Sequence, residues 1–416
     1  MLANKFSFDS MPASDVRAQS APRPICVVVD PWDLPYNGTV VSSRRFVDAL
    51  RQRGHGFRIL SCPIEEGKVV DADTDDDDLG QLERHYFPAL SILGVNGIIR
   101  AMKVMLARPN SNLMERALTG ARLVHVQFPF FLGYSAIKMA RRLNVPVVCS
   151  FHVQPENLLL NLGLNFKWLR ELLYKIFIRY IYNQADLVIA PSEFAANELL
   201  KRNLAKPIEV VSNGVPDEFF LPASIHQTES KSSTFCILSV GRFSSEKQQG
   251  LLIDAISHSD FRDKIELRLV GAGPNESKLK AHIQRAGINA VVETVTNAEL
   301  LLRYERADLF VHCGIIELEG MSIIEAMATG KVVLVSDSEA SAAGIFALSE
   351  FAKFKSGDLE DLRCKLDYWV QHPQISAEQS ATNRNFIASY KHNICVEKLE
   401  RLYSAICLRT GHEDEG

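Results

Sequence analysis

From Ile25 onward the chain alternates short apolar, β-branched runs with longer stretches whose apolar residues recur at helical spacing. Strand-length runs separated by helix-length segments are the pattern of a parallel sheet covered by helices. In the first half the predicted strands are ICVVVD from Ile25, FRIL from Phe57, LVHVQ from Leu123, PVVCSF from Pro146, DLVIAPS from Asp186 and IEVVSNG from Ile208. Between Asn213 and Thr234 the periodicity stops and Pro, Ser, Thr and charged residues take over, which is linker composition. The alternation then restarts with FCILSVG from Phe235, ELRLVG from Glu266, VVE from Val291, DLFVHC from Asp308 and KVVLVSDS from Lys331. The predicted organisation is α/β: a disordered extension over 1–24, a Rossmann-like lobe over 25–212, a linker over 213–234 and a second Rossmann-like lobe over 235–373. Helices over 374–410, with apolar points at Phe386, Ile387, Tyr390, Ile394, Leu399, Leu402 and Ile406, are expected to cross back onto the first lobe. Ligands of such sheets bind beyond the carboxyl ends of the strands, so two facing lobes place a cleft between them.

Composition narrows the function classes. At 416 residues and 47% hydrophobic content the chain has material for two cores. Its net charge of −4 mixes both signs without the concentrated basic surface of a nucleic-acid binder. None of the eight cysteines forms a C-x-x-C pair, and Cys26, Cys149, Cys236 and Cys313 fall in predicted strands, so they read as small core residues in a reducing compartment. The first twenty or so residues lack the apolar stretch of a secretion signal, and no segment reaches the roughly 18 to 20 apolar residues of a membrane span. The expected location is the cytoplasm, either free or at the inner face of the membrane. The acidic run from Asp71 to Asp78 reads as a solvated loop.

Two segments carry chemistry. ELEGMSIIEAMATG, from Glu317 to Gly330, follows a predicted strand: Gly320 permits a tight turn, Met321 to Ala328 is a good helix, and Gly330 stands where a C-terminal cap belongs. The free N–H groups at such a helix start are a natural seat for a phosphate. Glu317 and Glu325 then lie on either side of it, able to accept hydrogen bonds from sugar hydroxyls. Alternatively Glu317, Glu319 and Glu325 only favour the helix start by charge. GRFSSEKQQG, from Gly241 to Gly250, follows the first strand of the second lobe, where Arg242 and Lys247 can neutralise charge on a leaving diphosphate. Taken singly, such basic residues are more often solvated surface.

Together and in this order, the two segments resemble the glycosyltransferase family 4 enzymes, retaining transferases of the GT-B fold. The family's nucleotide-binding lobe carries G-R-x-x-x-E-K, here Gly241, Arg242, Glu246 and Lys247, and a later E-x(7)-E, here Glu317 and Glu325. LVGAGPNESKLKAHI from Leu269 and LLRYERADLFVHC from Leu301 are also similar to the family. The resemblance is strong from about Phe235 to Asp337 and looser in the first lobe. It implies a donor-binding second lobe and an acceptor-binding first lobe. Arg242 and Lys247 bind the diphosphate beside Gly241, Glu325 the ribose and Glu317 the transferred sugar. The backbone of Gly320, Met321 and Ser322 completes the pocket, with the base near Val295 and Thr296. In the first lobe the resemblance implies a glycine loop at Gly38, a His beside the donor sugar at His152, and acceptor contacts at Gln154, Glu156 and Asn157. Ser192 and Asn213, in two further family landmarks, read as capping or turn residues.

Some positions depart from the pattern. Gln248 stands where the family often has glycine, and SDSEASAAGIF from Ser336 replaces a G-G-x-x-E-like loop, so nothing is assigned there. The expected substrates are a UDP- or GDP-sugar and a saccharide or lipid-linked acceptor in surface glycan, capsule or glycolipid biosynthesis. No further cofactor is expected. No Asp-x-Asp cluster occurs at a strand end, and the resemblance likewise implies that no metal is required. The segment NFKWLRELLYKIFIRYIYN from Asn165 mixes basic and large apolar residues at helical spacing. It fits an anionic membrane surface and equally a helix packed on its own sheet, which is the expectation adopted. The competing functions are a nucleotide-sugar epimerase, a phosphorylase-like enzyme and a non-catalytic nucleotide-sugar binder. A dehydrogenase is disfavoured because no G-x-G-x-x-G follows the first strand of either lobe, although GAGPNE from Gly271 imitates part of it.

Overall fold

The computed structural model describes residues 23–33, 37–63, 82–90, 106–164, 166–220 and 234–411. The first lobe runs β1 (Ile25–Val28), α1 (Gly38–Gln52), β2 (Phe57–Ser61), β3 (Leu82–Tyr86), α2 (Ser111–Leu118), β4 (Leu123–Val126), α3 (Phe131–Arg142), β5 (Val147–Ser150), α4 (Pro155–Asn161), α5 (Lys167–Tyr180), β6 (Leu187–Ala190), α6 (Glu193–Leu200) and β7 (Ile208–Val210). Its seven strands form one parallel sheet in the order β3-β2-β1-β4-β5-β6-β7. The second lobe continues with β8 (Phe235–Val240), α7 (Gln249–Ser257), β9 (Ile265–Val270), α8 (Glu276–Ala286), β10 (Ala290–Glu293), α9 (Asn297–Arg306), β11 (Leu309–His312), α10 (Met321–Ala328), β12 (Val332–Asp337), β13 (Lys353–Lys355) and α11 (Leu359–Gln371). Its six strands are also parallel, in the order β10-β9-β8-β11-β12-β13.

The predicted strands all form, because central strands of parallel sheets are covered on both faces and must be apolar throughout. β1, β4, β5, β6 and β11 are buried at every position. Two strands escaped the pattern, β3 (LERHY) and β13 (KFK). Both sit at sheet edges, where one neighbour is missing and charged side chains stay in water. Of the extension expected over 1–24, only Arg23 and Pro24 are described, and both are tied to the end of α2 and the start of β4 through Gly120, Ala121 and Arg122. The acidic run 71–78 and residues 34–36, which precede the Gly38 turn, lie outside the described residues.

After α11 the chain forms α12 (Ile375–Ile387) and α13 (His392–Thr410). Only α13 lies on the first lobe, where Cys395, Val396, Leu399, Tyr403, Ile406 and Cys407 join its core. This corrects the expectation for 374–410 as a whole. α12 stays on the second lobe, because Asn383 and Arg384 satisfy the Lys331 and Thr329 carbonyls at the end of α10 and Ile387 is buried beside it. The expected linker is likewise structured where it is described. Val215 and Phe219 are buried in a second-lobe cluster, and Val215 exchanges backbone hydrogen bonds with Tyr390 (2.8 Å) and His392 (2.9 Å). The two passages of the chain between the lobes are therefore bonded to each other.

Candidate active site

The site grows from the loop between β11 and α10. Gly320 caps α10 in the left-handed region, with φ 95° and ψ 63° and no capping side chain. That backbone conformation favours glycine, and an added Cβ would also press on Ile323 Cδ1, 2.7 Å away. The first-turn N–H groups of Met321 and Ser322 begin a helix with no side-chain cap, the arrangement that seats an anion. From the other lobe α1 begins at Gly38, capped by Asn37, whose Oδ1 accepts from Thr39 N at 3.0 Å and Val40 N at 3.3 Å. Gly38 stands directly opposite: a Cβ there would be 3.7 Å from Met321 Sδ. The two helix starts thus meet across the cleft.

The G-R-x-x-x-E-K segment is held open by a different pair of glycines. A Cβ at Gly271 would fall 2.0 Å from Gly241 O, and one at Gly273 would fall 2.4 Å from Phe243 O. The GAGPNE run is therefore the groove in which the Gly241 loop lies, with Phe243 N donating to Ala272 O and Asn275 N to Phe243 O. Glu246 is buried and accepts from Ser244 Oγ at 2.5 Å, so the pattern's acidic residue shapes the loop. Gln248 adopts the left-handed conformation, φ 53° and ψ 31°, which explains why a glycine suits this position. Arg242 lies half-buried at the carboxyl end of β8.

The three acidic residues have separate partners. Glu317 pairs with Lys247 Nζ, and His312 Nε2 lies 3.0 Å from the same carboxylate. Burial by itself raises the Glu317 pKa, but the Lys247 charge and His312 outweigh it and hold the carboxyl down at about 2. Glu325 is buried between Tyr304, whose hydroxyl donates to Oε2 at 3.1 Å, and Arg45 of the first lobe, 3.3 Å from Oε1. Burial raises its pKa against the pull of Arg45. Glu319 points away from the helix start: its Oε2 accepts from Asn213 N at 3.1 Å and Asn213 Nδ2 at 2.6 Å, while Ser42 of α1 donates to Asn213 Oδ1 at 2.6 Å. Burial lifts Glu319 to about 7, more than the hydrogen bonds from Ser212 and Asn213 lower it. Asn213, read as a turn residue, is in fact the junction of α1, the interlobe passage and the Glu319 loop. Ser192 does cap α6, accepting from Ala195 N at 3.1 Å, and its hydroxyl also donates to Leu318 O across the cleft.

The remaining expectations divide. His152 lies two residues past the end of β5, beside a cavity with about 30 Å³ of room lined also by His125, Ser150, Asn213 and Tyr403. Burial lowers its pKa to about 4, so the imidazole is neutral near pH 7. Gln154 is buried and donates to Ala340 O of the second lobe at 3.0 Å. Glu156 accepts instead from Tyr174 of α5 at 3.0 Å, and Asn157 from Asn161 at 2.8 Å, so both side chains serve the first lobe's own packing and the structure does not turn them to the cleft. Thr296 caps α9 in a reciprocal capping box with Glu299, which occupies its hydroxyl and its N–H; Val295 remains beside it at the end of β10. Sequence reasoning missed Arg45, Ser42, Tyr304 and His312. Of these only His312, a polar residue closing an apolar strand five positions before Glu317, carried a local signal.

Over residues 36–219 the chain matches the family model described as Glycosyltransferase Family 4, and over residues 222–386 the model for glycosyl transferases group 1. The alpha-monoglucosyldiacylglycerol synthase of Streptococcus pneumoniae is 28% identical over 225 residues, which span about half of each protein (51% of this chain and 51% of the relative). The GDP-mannose-dependent alpha-mannosyltransferase of Mycolicibacterium smegmatis is 24% identical over 323 residues, 76% of this chain and 80% of the relative. Among solved structures, sucrose-phosphate synthase from Thermosynechococcus elongatus superposes with a TM-score of 0.75 at 15% identity, covering 93% of this chain and all of that one (100%). At that identity the likeness shows the fold, which is GT-B.

Two predictions follow from the loop geometry. Gln248→Gly relieves the left-handed glutamine and is expected to stabilise the protein by about 0.5–1 kcal/mol after the glycine's entropy cost, read as a higher Tm. A lower Tm would mean the Gln248 side chain matters more than its backbone. Glu319 keeps its proton up to about pH 7 when folded but releases it near 4.5 when unfolded. The native state then binds more protons in that window and loses relative stability as pH rises through it. Glu319→Gln keeps the neutral form, so the Tm of the variant relative to wild type should climb between about pH 5 and about pH 7.5; a flat difference contradicts the assignment.

Proposed function

Given that this chain belongs to the family 4 glycosyltransferases, we propose that it transfers a sugar from a nucleoside diphosphate sugar to a lipid-borne or saccharide hydroxyl, with retention at the anomeric carbon. Membership sets the non-catalytic reading aside and does not favour the epimerase or phosphorylase-like ones. The observation that carries the proposal is the meeting of two helix starts, at Gly38 and Met321, beside the Lys247–Glu317 pair.

The donor diphosphate sits on the N–H groups of Met321 and Ser322, with Arg242 and Lys247 on its oxygens. Glu325 accepts from the ribose hydroxyls and Glu317 from those of the transferred sugar. The bond from the anomeric carbon to the phosphate oxygen breaks with its electron pair leaving on the nucleotide. The acceptor hydroxyl forms the new bond on the same face, and its proton passes to the departing phosphate oxygen. Fixed positive groups at the phosphate lower this barrier because they are already oriented when charge develops there. His152, neutral near pH 7, can hydrogen-bond a sugar hydroxyl from the first-lobe side. Arg45 now occupies the carboxylate assigned to ribose, so donor binding exchanges or shares that contact. The base lies along the end of β10 at Val295.

Relatives named for diacylglycerol glycosylation and for GDP-mannose support a lipid acceptor and a GDP-linked donor, with a UDP-linked one the alternative. Work on a lipid acceptor takes place at the membrane face, and no described helix is long and apolar enough to cross a membrane. The test is a thermal-shift screen against UDP, GDP, ADP and their sugars, followed by kinetics with the donor that stabilises. Lys247→Ala is expected to lower kcat about 10²–10³-fold, and Glu325→Ala to raise donor KM roughly 10-fold or more through loss of charged hydrogen bonds. Activity should persist in EDTA. Full activity in Lys247→Ala, or loss in EDTA restored by a divalent ion, would refute the mechanism.

A further inference from the structure

α5 has two unlike faces. Tyr174, Phe177 and Ile178 are buried in the first-lobe core, as a helix packed on its own sheet requires. On the opposite arc Trp168, Leu172, Ile176 and Tyr180 succeed one another every fourth residue and are 66%, 44%, 40% and 47% exposed. Residues four apart on a helix lie one above the other, so these four form a continuous apolar row. The row extends at both ends: the exposed Phe166 ring is 6.3 Å from Trp168, and Tyr134 of α3 meets Tyr180 edge to face at 6.5 Å. Exposed Phe131 lies one turn before Tyr134. Scattered exposed apolar residues are ordinary on a protein surface, but a contiguous row of this length marks a contact site.

What it contacts is indicated by charge. Lys175 and Arg179 are exposed on the same arc, and Lys167 is exposed at the helix start. The Arg179 guanidinium lies 5.7 Å from the Tyr180 ring centre, and Lys138 Nζ lies 5.6 Å from that of Tyr134. The helix's single carboxylate, Glu171, is turned to Arg202 at 2.9 Å and 3.0 Å. This face is therefore cationic in a chain whose net charge is −4. Lysine is depleted from the centres of protein interfaces, whereas aromatic rings interleaved with Lys and Arg suit the headgroup level of an anionic bilayer. Long basic side chains there lay their stems along the apolar row and keep their charges at the phosphates.

We propose that the outward face of α5, with Phe166, Phe131 and Tyr134, is the surface by which this protein docks on an anionic lipid bilayer. Its relation to the cleft deepens the reading of a lipid-borne acceptor and rests on it. Tyr174 of α5 is bonded to Glu156 of α4, and Gln154, the residue before α4, bonds to Ala340 O of the second lobe. A bilayer seated on α5 thus lies on the acceptor lobe, one helix from the cleft edge.

The test is co-sedimentation of the full chain with vesicles of phosphatidylcholine containing roughly one-third phosphatidylglycerol, compared with pure phosphatidylcholine, at low and high salt. Binding is expected to need the anionic lipid and to weaken with salt. The variant Leu172→Ser/Ile176→Ser and the variant Lys175→Glu/Arg179→Glu should each lose at least about 10-fold in binding. Their thermal shift with the nucleotide that stabilises wild type should be unchanged, which shows that they fold. Wild-type protein that stays in the supernatant at low salt, or variants that bind like wild type, overturns the proposal. So does a wild-type dimer in solution that both variants convert to monomer, since the face would then be covered by a second copy. Vesicle binding without sugar transfer to any lipid leaves the docking surface standing and overturns the lipid-acceptor reading alone.

Discussion

Three carboxylates within nine residues, Glu317, Glu319 and Glu325, are buried or nearly so, and a buried charge is tolerated only where it is paired or neutralised. Each solves this with a partner from a different part of the chain. Lys247 comes from the first βα loop of the same lobe, Asn213 from the passage between lobes, and Arg45 from the first helix of the other lobe. One short loop is in this way anchored to three elements far apart in sequence. Arg45 and Asn213 join this loop to the first lobe and to the interlobe passage, while the large hydrophobic clusters of the two sheets remain separate.

The same contacts set the chemistry. Glu317 is kept ionised by Lys247 and His312 despite its burial, a state in which its carboxylate can only accept hydrogen bonds. Glu319, with no cation beside it, answers burial by holding a proton near neutrality and serves as a joint. Identical side chains two residues apart thus take opposite protonation states, set by which neighbour each meets. The glycines act on the backbone in a comparable way. Gly271 and Gly273 let the Gly241 loop press against the next strand end, and that contact aims Lys247 at Glu317.

Much of the architecture was legible along the chain because a parallel sheet buried on both faces leaves an unmistakable apolar signature in its central strands. β3 and β13 were illegible for the converse reason: an edge strand needs few apolar residues. The turn at Gly320 and the helix from Met321 to Ala328 were readable because their signals are local. Arg45 was not, since nothing in GTVVSSRRFVDAL distinguishes a surface arginine from one that reaches across a cleft. Glu156 and Asn157 show the opposite failure: polar residues near a strand end suggest ligand contacts, and only packing reveals that α5 and Asn161 take them.

The helix α5 states the division most plainly. Its sequence alone determined that it is amphipathic and cationic, and so fit for either a sheet or a membrane surface. The tertiary structure decided that it does the first with Tyr174, Phe177 and Ile178 while leaving a second apolar row outward. Local periodicity follows from the chain's own geometry and can be read from residue order. Which face is covered, which charge meets which, and which glutamate keeps its proton depend on elements hundreds of residues apart, and only folding brings them together.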